Sequence, residues 1–325
     1  EMQVLSNVLQ YGDSESDDGK AVAVDSDGNT YLAGYFTGTV TLGATTFSSA
    51  GSFDIMVMKI DPNQNVEWVV TGGSSGADSA MDVAVDSEGN IYVTGFVEGP
   101  GAIGGVGYTT QVNSTDAFVL KINASGQVQW VKSMGGPGYD EGSSLALDSY
   151  EYLYVVGDFE DSADFGGVVK TNEGYSDVFL AHLSDTGVLS DVETYGDAQE
   201  EYATDIVVIS DIPYVTGYFE GTIDFPEDTL TSAGSYDAFI VKRGDWAVRV
   251  GGPGVDRGHG IAVDSSGNVI VTGCFSNTAT FGTQSHSSNG DYDGYLLQLT
   301  SYGGVDWVEA FGDSGRDQGM SVIVG

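Results

Sequence analysis

Six acidic residues recur at one position of a repeated pattern, and their type and spacing could do chemistry. Each one stands just before or at the start of a short apolar run such as "AVAVD" or "DVAVD". The six are Asp17, Asp78, Asp140, Glu201, Asp256 and Asp317. Carboxylates held close together raise one another's pKa or bind a cation such as calcium. The pattern therefore predicts either a cation site or carboxylates that each fix their own turn, and hydrogen-bond partners distinguish the two.

The segments that carry these carboxylates repeat along the chain. "AVDSDGNTYLAGYF" (residues 23–36) is echoed by "AVDSEGNIYVTGFV" (84–97) and "AVDSSGNVIVTGCF" (262–275). One glycine of this motif recurs at intervals of 56 to 62 residues, as Gly34, Gly95, Gly157, Gly217 and Gly273. Self-similarity at such a period indicates a repeated supersecondary unit.

Each unit is predicted to contain four strands, A to D. Strand A is short and apolar, a Gly-Asn turn leads into a strand B rich in β-branched and aromatic residues, and a longer segment with a small hairpin follows. Strand C begins with an aspartate that we expect to fix a turn; these are Asp54, Asp116, Asp177, Asp237 and Asp293. Strand D carries a tryptophan, at Trp68, Trp130, Trp246 and Trp307, and the third unit has Asp191 instead.

A four-stranded sheet of about 60 residues cannot bury both of its faces alone, whereas radial stacking lets each sheet cover the next. The sequence therefore predicts an all-β fold, a β-propeller with five complete blades. The terminal strands, 1–12 and 313–325, would form a partial sixth blade. We expect a single domain over residues 1–325, with repeats at approximately 13–73, 74–136, 137–197, 198–252 and 253–312.

The motifs "GGPGVDRGHGIAVDSSGNVIVTG" and "DAFVLKI" followed by "GQVQW" resemble the bacterial beta-propeller repeat family, SBBP. The resemblance covers nearly the whole chain and implies the propeller fold in an exported or surface protein. The third repeat departs from the pattern at "DSYEYLY", which lacks the Gly-Asn turn, and the fourth departs at "ISDIPY", where the turn is shortened.

Composition limits the partners of the chain. It has 48 acidic and 10 basic residues, a net charge of -38, which repels nucleic acids and anionic lipid surfaces. No apolar run is long enough for a membrane helix, so we expect no membrane insertion. The partner classes that remain are a protein or a glycan. Cys274 is the single cysteine, so no internal disulfide forms, and we expect it to be buried in the core.

Two further motifs could carry chemistry. "DSDGN" (residues 25–29) resembles the start of a calcium loop, and "GDSESDDG" (12–19) is denser in carboxylates. The alternative for the first is an ordinary hairpin turn. His259 lies three residues after Asp256, so the two could act as base and acid. No matching nucleophile or strand-to-helix elbow of the G-x-S-x-G type is expected, because helical patterning is absent, and the zinc motifs H-E-x-x-H and C-x-x-C and the phosphate-binding motif G-x-x-x-x-G-K-[ST] are absent.

These features favour a non-enzymatic extracellular or cell-surface module for interaction, adhesion or structure. The alternatives are a channel-mouth enzyme, a lyase or hydrolase, and a calcium-binding or ligand-binding propeller. No cofactor is assigned apart from calcium in that alternative. The terminal strands leave three interpretations open: a fragment of a longer protein, a reduced sixth blade, or a homo-oligomer or polymer in which a neighbouring subunit supplies strands.

Overall fold

The computed structural model describes residues 12, 14–42, 44–111 and 114–324. All regular secondary structure in these residues is β-structure, in thirty strands. The chain divides into two compact units, Glu1–Ser133 and Met134–Gly325. The first contains two of the repeats and the second contains three. The predicted strand over 1–12 lies outside the described residues, apart from Gly12.

The first unit contains two repeats of six strands each. The first repeat comprises β1 (Asp18–Val24), β2 (Thr30–Phe36), β3 (Thr39–Leu42), β4 (Thr45–Ser48), β5 (Asp54–Ile60) and β6 (Val66–Gly73). The second comprises β7 (Asp78–Val85), β8 (Ile91–Glu98), β9 (Gly101–Ile103), β10 (Val106–Tyr108), β11 (Thr115–Ile122) and β12 (Val128–Met134).

The second unit contains three repeats of the same design. The third repeat comprises β13 (Asp140–Leu147), β14 (Leu153–Phe159), β15 (Ser162–Asp164), β16 (Val169–Thr171), β17 (Asp177–Leu183) and β18 (Leu189–Tyr195). The fourth comprises β19 (Glu201–Ile209), β20 (Ile212–Phe219), β21 (Thr222–Asp224), β22 (Thr229–Thr231), β23 (Asp237–Lys242) and β24 (Trp246–Val250). The fifth comprises β25 (Asp256–Val263), β26 (Val269–Phe275), β27 (Thr278–Phe281), β28 (Gln284–Ser287), β29 (Asp293–Leu299) and β30 (Val305–Phe311).

In every repeat the first, second, fifth and sixth strands form an antiparallel sheet in the order A-B-C-D. The third and fourth strands form the small hairpin expected between strands B and C. This hairpin also pairs with the end of the preceding repeat: Gly72 lies opposite Ile103, and Gly251 forms a bridge with Thr280. The predicted four-stranded unit with an extra hairpin is therefore confirmed within both compact units.

The recurring glycine of strand B has a steric cause. Gly34 pairs with Gly19 immediately before a β-bulge in strand A, and the same irregularity recurs opposite Gly95, Gly157, Gly217 and Gly273. A Cβ atom on Gly34 would overlap the backbone carbonyl of Asp18. Because the bulge brings one backbone this close to the other, only glycine fits.

Neighbouring sheets pack face to face within each unit. In the first unit, Tyr31, Ile55 and Val57 of the first sheet share a core with Val83 and Phe118 of the second. Two corresponding cores lie between the three sheets of the second unit. Stacking thus buries the second face of each sheet, as the amphipathic strands predict.

The two repeats that lack the Gly-Asn turn use other residues with positive φ. Glu151 takes φ 62 in the third repeat, and Ser210 and Asp211 take φ 53 and 63 in the fourth. Consecutive positive φ values are typical of a two-residue hairpin turn. The hairpin therefore survives where its sequence signature is lost.

The predicted C-terminal strand, 313–325, is not a regular strand in its described part. Residues 313–324 nevertheless take the place of a strand A beside the fifth repeat. The amide of Asp317 donates to the carbonyl of Tyr292 at 2.9 Å, as the amide of Asp256 donates to Tyr236 at 2.8 Å. No strand B pairs with this segment among the described residues, which explains why a ladder does not form.

Candidate functional site

The carboxylates before strand A occupy the repeat junctions, which we define as the segments that join strand D of one repeat to strand A of the next. Asp256 shows their geometry. One oxygen accepts the amide of Gly252, four residues earlier, at 2.7 Å, and the other accepts the amide of Ser276, twenty residues later, at 3.2 Å. The carboxylate thus ties the crossover to the end of strand B.

The other junction carboxylates make the same kind of bond. Asp78 accepts the amides of Ser74 and Glu98, and Asp140 accepts those of Gly136 and Glu160. Asp17 accepts from Thr37, Glu201 from Asp197, and Asp317 from Asp313. These bonds agree with the turn-fixing alternative of the sequence analysis.

Within the described residues, the side chains of the predicted cation site are not arranged as a set of metal ligands. The described part of the chain contains no group of three or more His, Cys, Asp or Glu side chains arranged to hold a metal ion. A metal site at Asp17, Asp78, Asp140, Glu201, Asp256 and Asp317 stays a prediction, and so does calcium.

The aspartates that begin strand C also fix turns. Asp54 accepts the amides of Ala50 and Gly51, each at 3.1 Å. Asp116 accepts the hydroxyl of Ser114 at 2.8 Å. In the same way, the backbone amides of Glu173, Ala233 and Asn289 donate to Asp177, Asp237 and Asp293, respectively. The predicted role of these residues in turns agrees with this geometry.

The structure brings the two sets of carboxylates together, which the sequence analysis did not foresee. A Cβ on Gly251 would lie 2.8 Å from Asp237 Cγ and 2.8 Å from Asp256 Oδ2. Gly196 separates Asp177 from Glu201, and Gly312 separates Asp293 from Asp317, in the same way. The "GG" and "GD" pairs that end each repeat were the available signal, because a side chain there would displace two buried carboxylates.

Burial and mutual repulsion raise the pKa values of these groups. Burial, and then the charge of Asp54, raise the pKa of Asp78 to about 6, although backbone amides oppose the shift. The pKa of Asp256 rises to about 7 for the same reasons, with Asp237 as its charged neighbour. Burial raises the pKa of Glu201 to about 9. The junctions therefore hold protons at a pH where free carboxyl groups are ionised.

One junction contains a cation. Arg249 forms an ion pair with Asp237, whose side chain is fully buried, at the junction between the fourth and fifth repeats. The residue that corresponds to Arg249 in the third repeat is Thr194, because each pairs with the phenylalanine two positions into strand C. The charge balance of the junctions thus differs along the chain.

The "DSDGN" motif forms a hairpin turn. Asp25 accepts the amides of Asp27 and Asn29, the side-chain amide of Asn29 and the hydroxyl of Tyr31, at 2.7 to 3.0 Å. Asp86 and Asp264 make corresponding turns. These bonds occupy the carboxylate that would begin a calcium loop. In the acidic segment 12–19, Asp13 lies outside the described residues.

A groove of about 430 Å³ separates two of these turns in the first unit. Its walls include Asp27 and Glu88 from the two turns, together with Lys59 and Tyr31. In the second unit, the turns of the third and fourth repeats are joined instead, because the amide of Ser149 donates to Asp211 at 2.9 Å. The groove was not anticipated from the sequence.

His259 and Asp256 do not form the predicted acid–base pair. His259 Nδ1 lies 3.0 Å from the carbonyl oxygen of Gly319, and burial lowers its pKa. Asp256 is bonded to backbone amides, and no hydrogen bond joins the two side chains in the described structure. Cys274 is fully buried, and burial raises the pKa of its thiol to about 11, which suits the predicted core role.

Comparisons with known proteins agree with the repeat. The SBBP family model, described as beta-propeller repeat, matches residues 7–38, 71–95 and 245–273. Regulatory protein FlaEY of Caulobacter vibrioides is 28% identical over 166 residues, which cover 49% of this chain and 17% of that protein. The uncharacterized WD repeat-containing protein L264 of Acanthamoeba polyphaga mimivirus is 24% identical over 158 residues, 43% of this chain and 11% of that protein.

This chain therefore corresponds to a small part of either relative. A crystal structure of a protein of unknown function from Bacteroides caccae covers 94% of this chain and 88% of that one, with 9% identity and a TM-score of 0.37; a likeness this distant supports no inference. No helix of sufficient length and apolar character to cross a membrane occurs in the described residues. The resemblance predicted from the motifs is confirmed over the three segments that the SBBP beta-propeller repeat model matches.

Proposed function

We propose that this chain is a non-enzymatic interaction module, a β-propeller of five complete blades whose terminal strands contribute to a sixth. The observation that carries the proposal is the use of the recurring acidic residues. Asp78, Asp140 and Asp256 each accept amides from both sides of their junction. Polar residues that could have formed a catalytic set instead hold the repeats in place, which suits a rigid scaffold.

The relatives support an interaction role. The name of the Caulobacter protein describes a regulatory protein, and that of the mimivirus protein describes WD repeats. The net charge of -38 favours a partner with a basic protein surface; a neutral glycan is the other partner class that we propose. We place the module outside the cell or on its surface, as an adhesive or structural unit, in accord with the exported proteins that the repeat resemblance implies.

Chemical cross-linking on intact producing cells, followed by mass spectrometry, tests both the place and the partner. We expect cross-links to a surface protein or glycan that weaken as salt is raised, because exposed charges are screened. Cross-links confined to cytosolic proteins would contradict the proposal. Light scattering over a concentration series tests assembly into a filament or array, and a monomer at every concentration would contradict that version.

A second candidate function is ligand binding in the groove of the first unit, which the turns around Asp27 and Glu88 favour. Asp25 and Asp86 are hydrogen-bonded within their own turns, and the described side chains contain no three acidic groups arranged to hold a metal ion, so we expect the groove to bind a small cation such as calcium weakly, through Asp27, Glu88 and water. Calorimetric titration with calcium chloride tests it. We expect heat of binding that the double substitution Asp27→Asn and Glu88→Gln abolishes, and equal heats for both proteins would contradict it.

A further inference from the structure

The junction between the third and fourth repeats, here called the 3–4 junction, holds its acidic residue differently from the others. Glu201 is fully buried, and its Oε2 accepts the amide of Asp197 at 3.1 Å. Its Oε1 is buried without any hydrogen-bond partner. A buried carboxylate oxygen with no donor is costly if the group is ionised. A positive charge or a proton is therefore needed to offset the cost of burying Glu201.

The unpaired oxygen has a local cause. In the next repeat, Asp256 accepts an amide at the end of strand B through its second oxygen. At the 3–4 junction the equivalent amide is that of Glu220, which donates to the backbone carbonyl of Glu200 at 3.0 Å, while Asp197 Oδ2 accepts the amide of Thr222, two residues further on, at 2.7 Å. Glu201 Oε1 therefore receives neither this amide nor any other donor among the described residues.

Further negative groups surround Glu201, and its contacts supply no cation. Asp177, at the start of β17, and Glu201 contact Gly196 from two sides: a Cβ there would lie 2.5 Å from Asp177 Oδ1 and 2.6 Å from Glu201 Oε2. Asp197 faces Glu201 from the preceding loop. From β20, the residue opposite Glu201 is the apolar Phe219. The charge of Glu173 reaches Asp177.

The two buried carboxyl groups of Asp177 and Glu201, next to the half-buried Asp197, cannot all be ionised without a counter-charge. At the neighbouring junction that counter-charge is the guanidinium of Arg249 on Asp237, but the corresponding residue here is Thr194. We propose that a proton on Glu201 replaces the missing cation, and that the 3–4 junction is a pH-sensitive joint, closed when Glu201 is protonated and loosened when it ionises. This inference does not depend on the proposed function.

The direction of the pKa shift of Glu201 agrees with this geometry. Burial, followed by the charges of Asp197 and Asp177, raises the pKa of Glu201 to about 9. A carboxyl group whose pKa is higher in the folded state stabilises the fold only while it is protonated. The contribution is present at pH values below the unfolded pKa, near 4.3, and is lost as the pH rises towards 9. The joint is therefore expected to loosen in mildly alkaline solution.

Hydrogen exchange of the full-length chain, followed from pH 6 to about pH 10, tests the joint. The amide of Asp197 reports the 3–4 junction, and the amide of Gly252 reports the next junction and corrects for base catalysis of exchange. We expect the ratio of their rates, corrected for intrinsic exchange, to rise by about tenfold per pH unit from pH 6 to about pH 9 and then to level off. The variant Glu201→Gln should remove this rise, and a ratio that follows the wild type would overturn the proposal.

Two further measurements keep the proposal falsifiable if Glu201→Gln does not fold. Glutamate labelled with ¹³C at its carboxyl carbon should show by NMR one carboxyl group in the wild type that titrates above pH 8; if every glutamate titrates below pH 6, the proposal is wrong. The variant Thr194→Arg supplies the cation present in the next repeat. It should lower the pH at which that carboxyl group titrates, and it should remove the rise in the ratio of exchange rates with pH. An unchanged titration in the folded variant would count against the proposal.

Discussion

The 3–4 junction and the junction between the fourth and fifth repeats, the 4–5 junction, are built on the same strands but balance their charges differently. At the 4–5 junction, both oxygens of Asp256 accept backbone amides, and Arg249 pairs with Asp237. At the 3–4 junction, Glu201 keeps one oxygen without a partner among three carboxyl groups. The repeat therefore fixes where carboxylates gather, while single substitutions decide how each junction is neutralised.

The same two junctions also differ at their outer strands. At the 4–5 junction, the indole of Trp246 donates to the carbonyl of Ser301 at 3.1 Å and packs against Gly303. In the third repeat Asp191 replaces the tryptophan, and Arg243 of the fourth repeat pairs with Glu193 and lies 3.8 Å from Asp191. The contact that the Trp246 indole makes at the 4–5 junction is thus replaced by the ion pair of Arg243 at the 3–4 junction.

The largest expected effect is the pH dependence of the whole chain. The pKa values of Asp116 and Asp177 rise to about 6, and that of Asp256 to about 7, mainly through burial. Because each folded-state pKa exceeds the unfolded value, stability is greatest in mild acid and falls by several kcal/mol as the pH rises from about 4 to 7. Denaturant unfolding at a series of pH values and constant ionic strength measures this. A stability that rises over that range would contradict it.

The substitution Trp246→Ala should have the largest effect of a single change at the 4–5 junction. It removes the indole hydrogen bond to Ser301 and leaves the space over Gly303 empty, at a cost of about 3 kcal/mol of unfolding free energy. Urea unfolding measures the loss. The matched control is Asp191→Ala at the equivalent position of the third repeat, which should change stability by less than about 1 kcal/mol because Asp191 is exposed. Equal losses of unfolding free energy in the two variants would show that Trp246 and Asp191 contribute equally to stability at their positions.

The substitution Arg249→Met should turn the 4–5 junction into one without a cation. It leaves Asp237 buried with no counter-charge, and we expect a loss of about 2 kcal/mol at neutral pH, reduced because Arg249 is partly exposed. The loss should shrink near pH 5, since Asp237 can then take up a proton. Thermal unfolding at the two pH values measures both effects. Adding Asp237→Asn to the variant should recover much of the stability, and a loss independent of pH would contradict the charge explanation.

The smallest expected effect is at the outer ion pair of the 3–4 junction. The substitution Arg243→Met should cost about 0.5 to 1 kcal/mol, because a partly exposed ion pair contributes little and salt screens it. Unfolding in low and high salt measures the effect, and the difference from the wild type should decrease in high salt. An effect as large as that of Trp246→Ala would show that the ion pair contributes as much to stability as the Trp246 contact.

Much of the fold could be predicted from local patterns. The period-two strands, the Gly-Asn turns and the glycine of strand B are local signals, because each depends on backbone geometry within one repeat. A turn-fixing role was the expectation for Asp54 and one of two alternatives for Asp25 and Asp256, and the hydrogen bonds of all three agree with it. The hairpin turn at Ser210 and Asp211 was predicted as a shortened turn, although its residues carry no glycine.

The pairing of carboxylates across the junctions could not be predicted in this way. Asp177 and Glu201 are 24 residues apart and belong to different sheets, so no local pattern places them on opposite sides of Gly196. The acid–base pairing of His259 with Asp256, considered within the enzyme alternative, rested on sequence proximity alone, and in the structure Asp256 is held by backbone amides instead. The groove beside Asp27 likewise depends on the spacing of two stacked sheets.

Local patterns in the sequence are sufficient to predict the repeat, the strand order within it and the acidic composition, because alternation, turn residues and charge act over short distances. The stacking of the sheets determines which carboxyl groups lie together in a buried site, which of them forms an ion pair with a cation, and which must hold a proton. The physical reason is that solvation and charge interaction depend on distances between stacked sheets, and those distances are set by packing along the whole face.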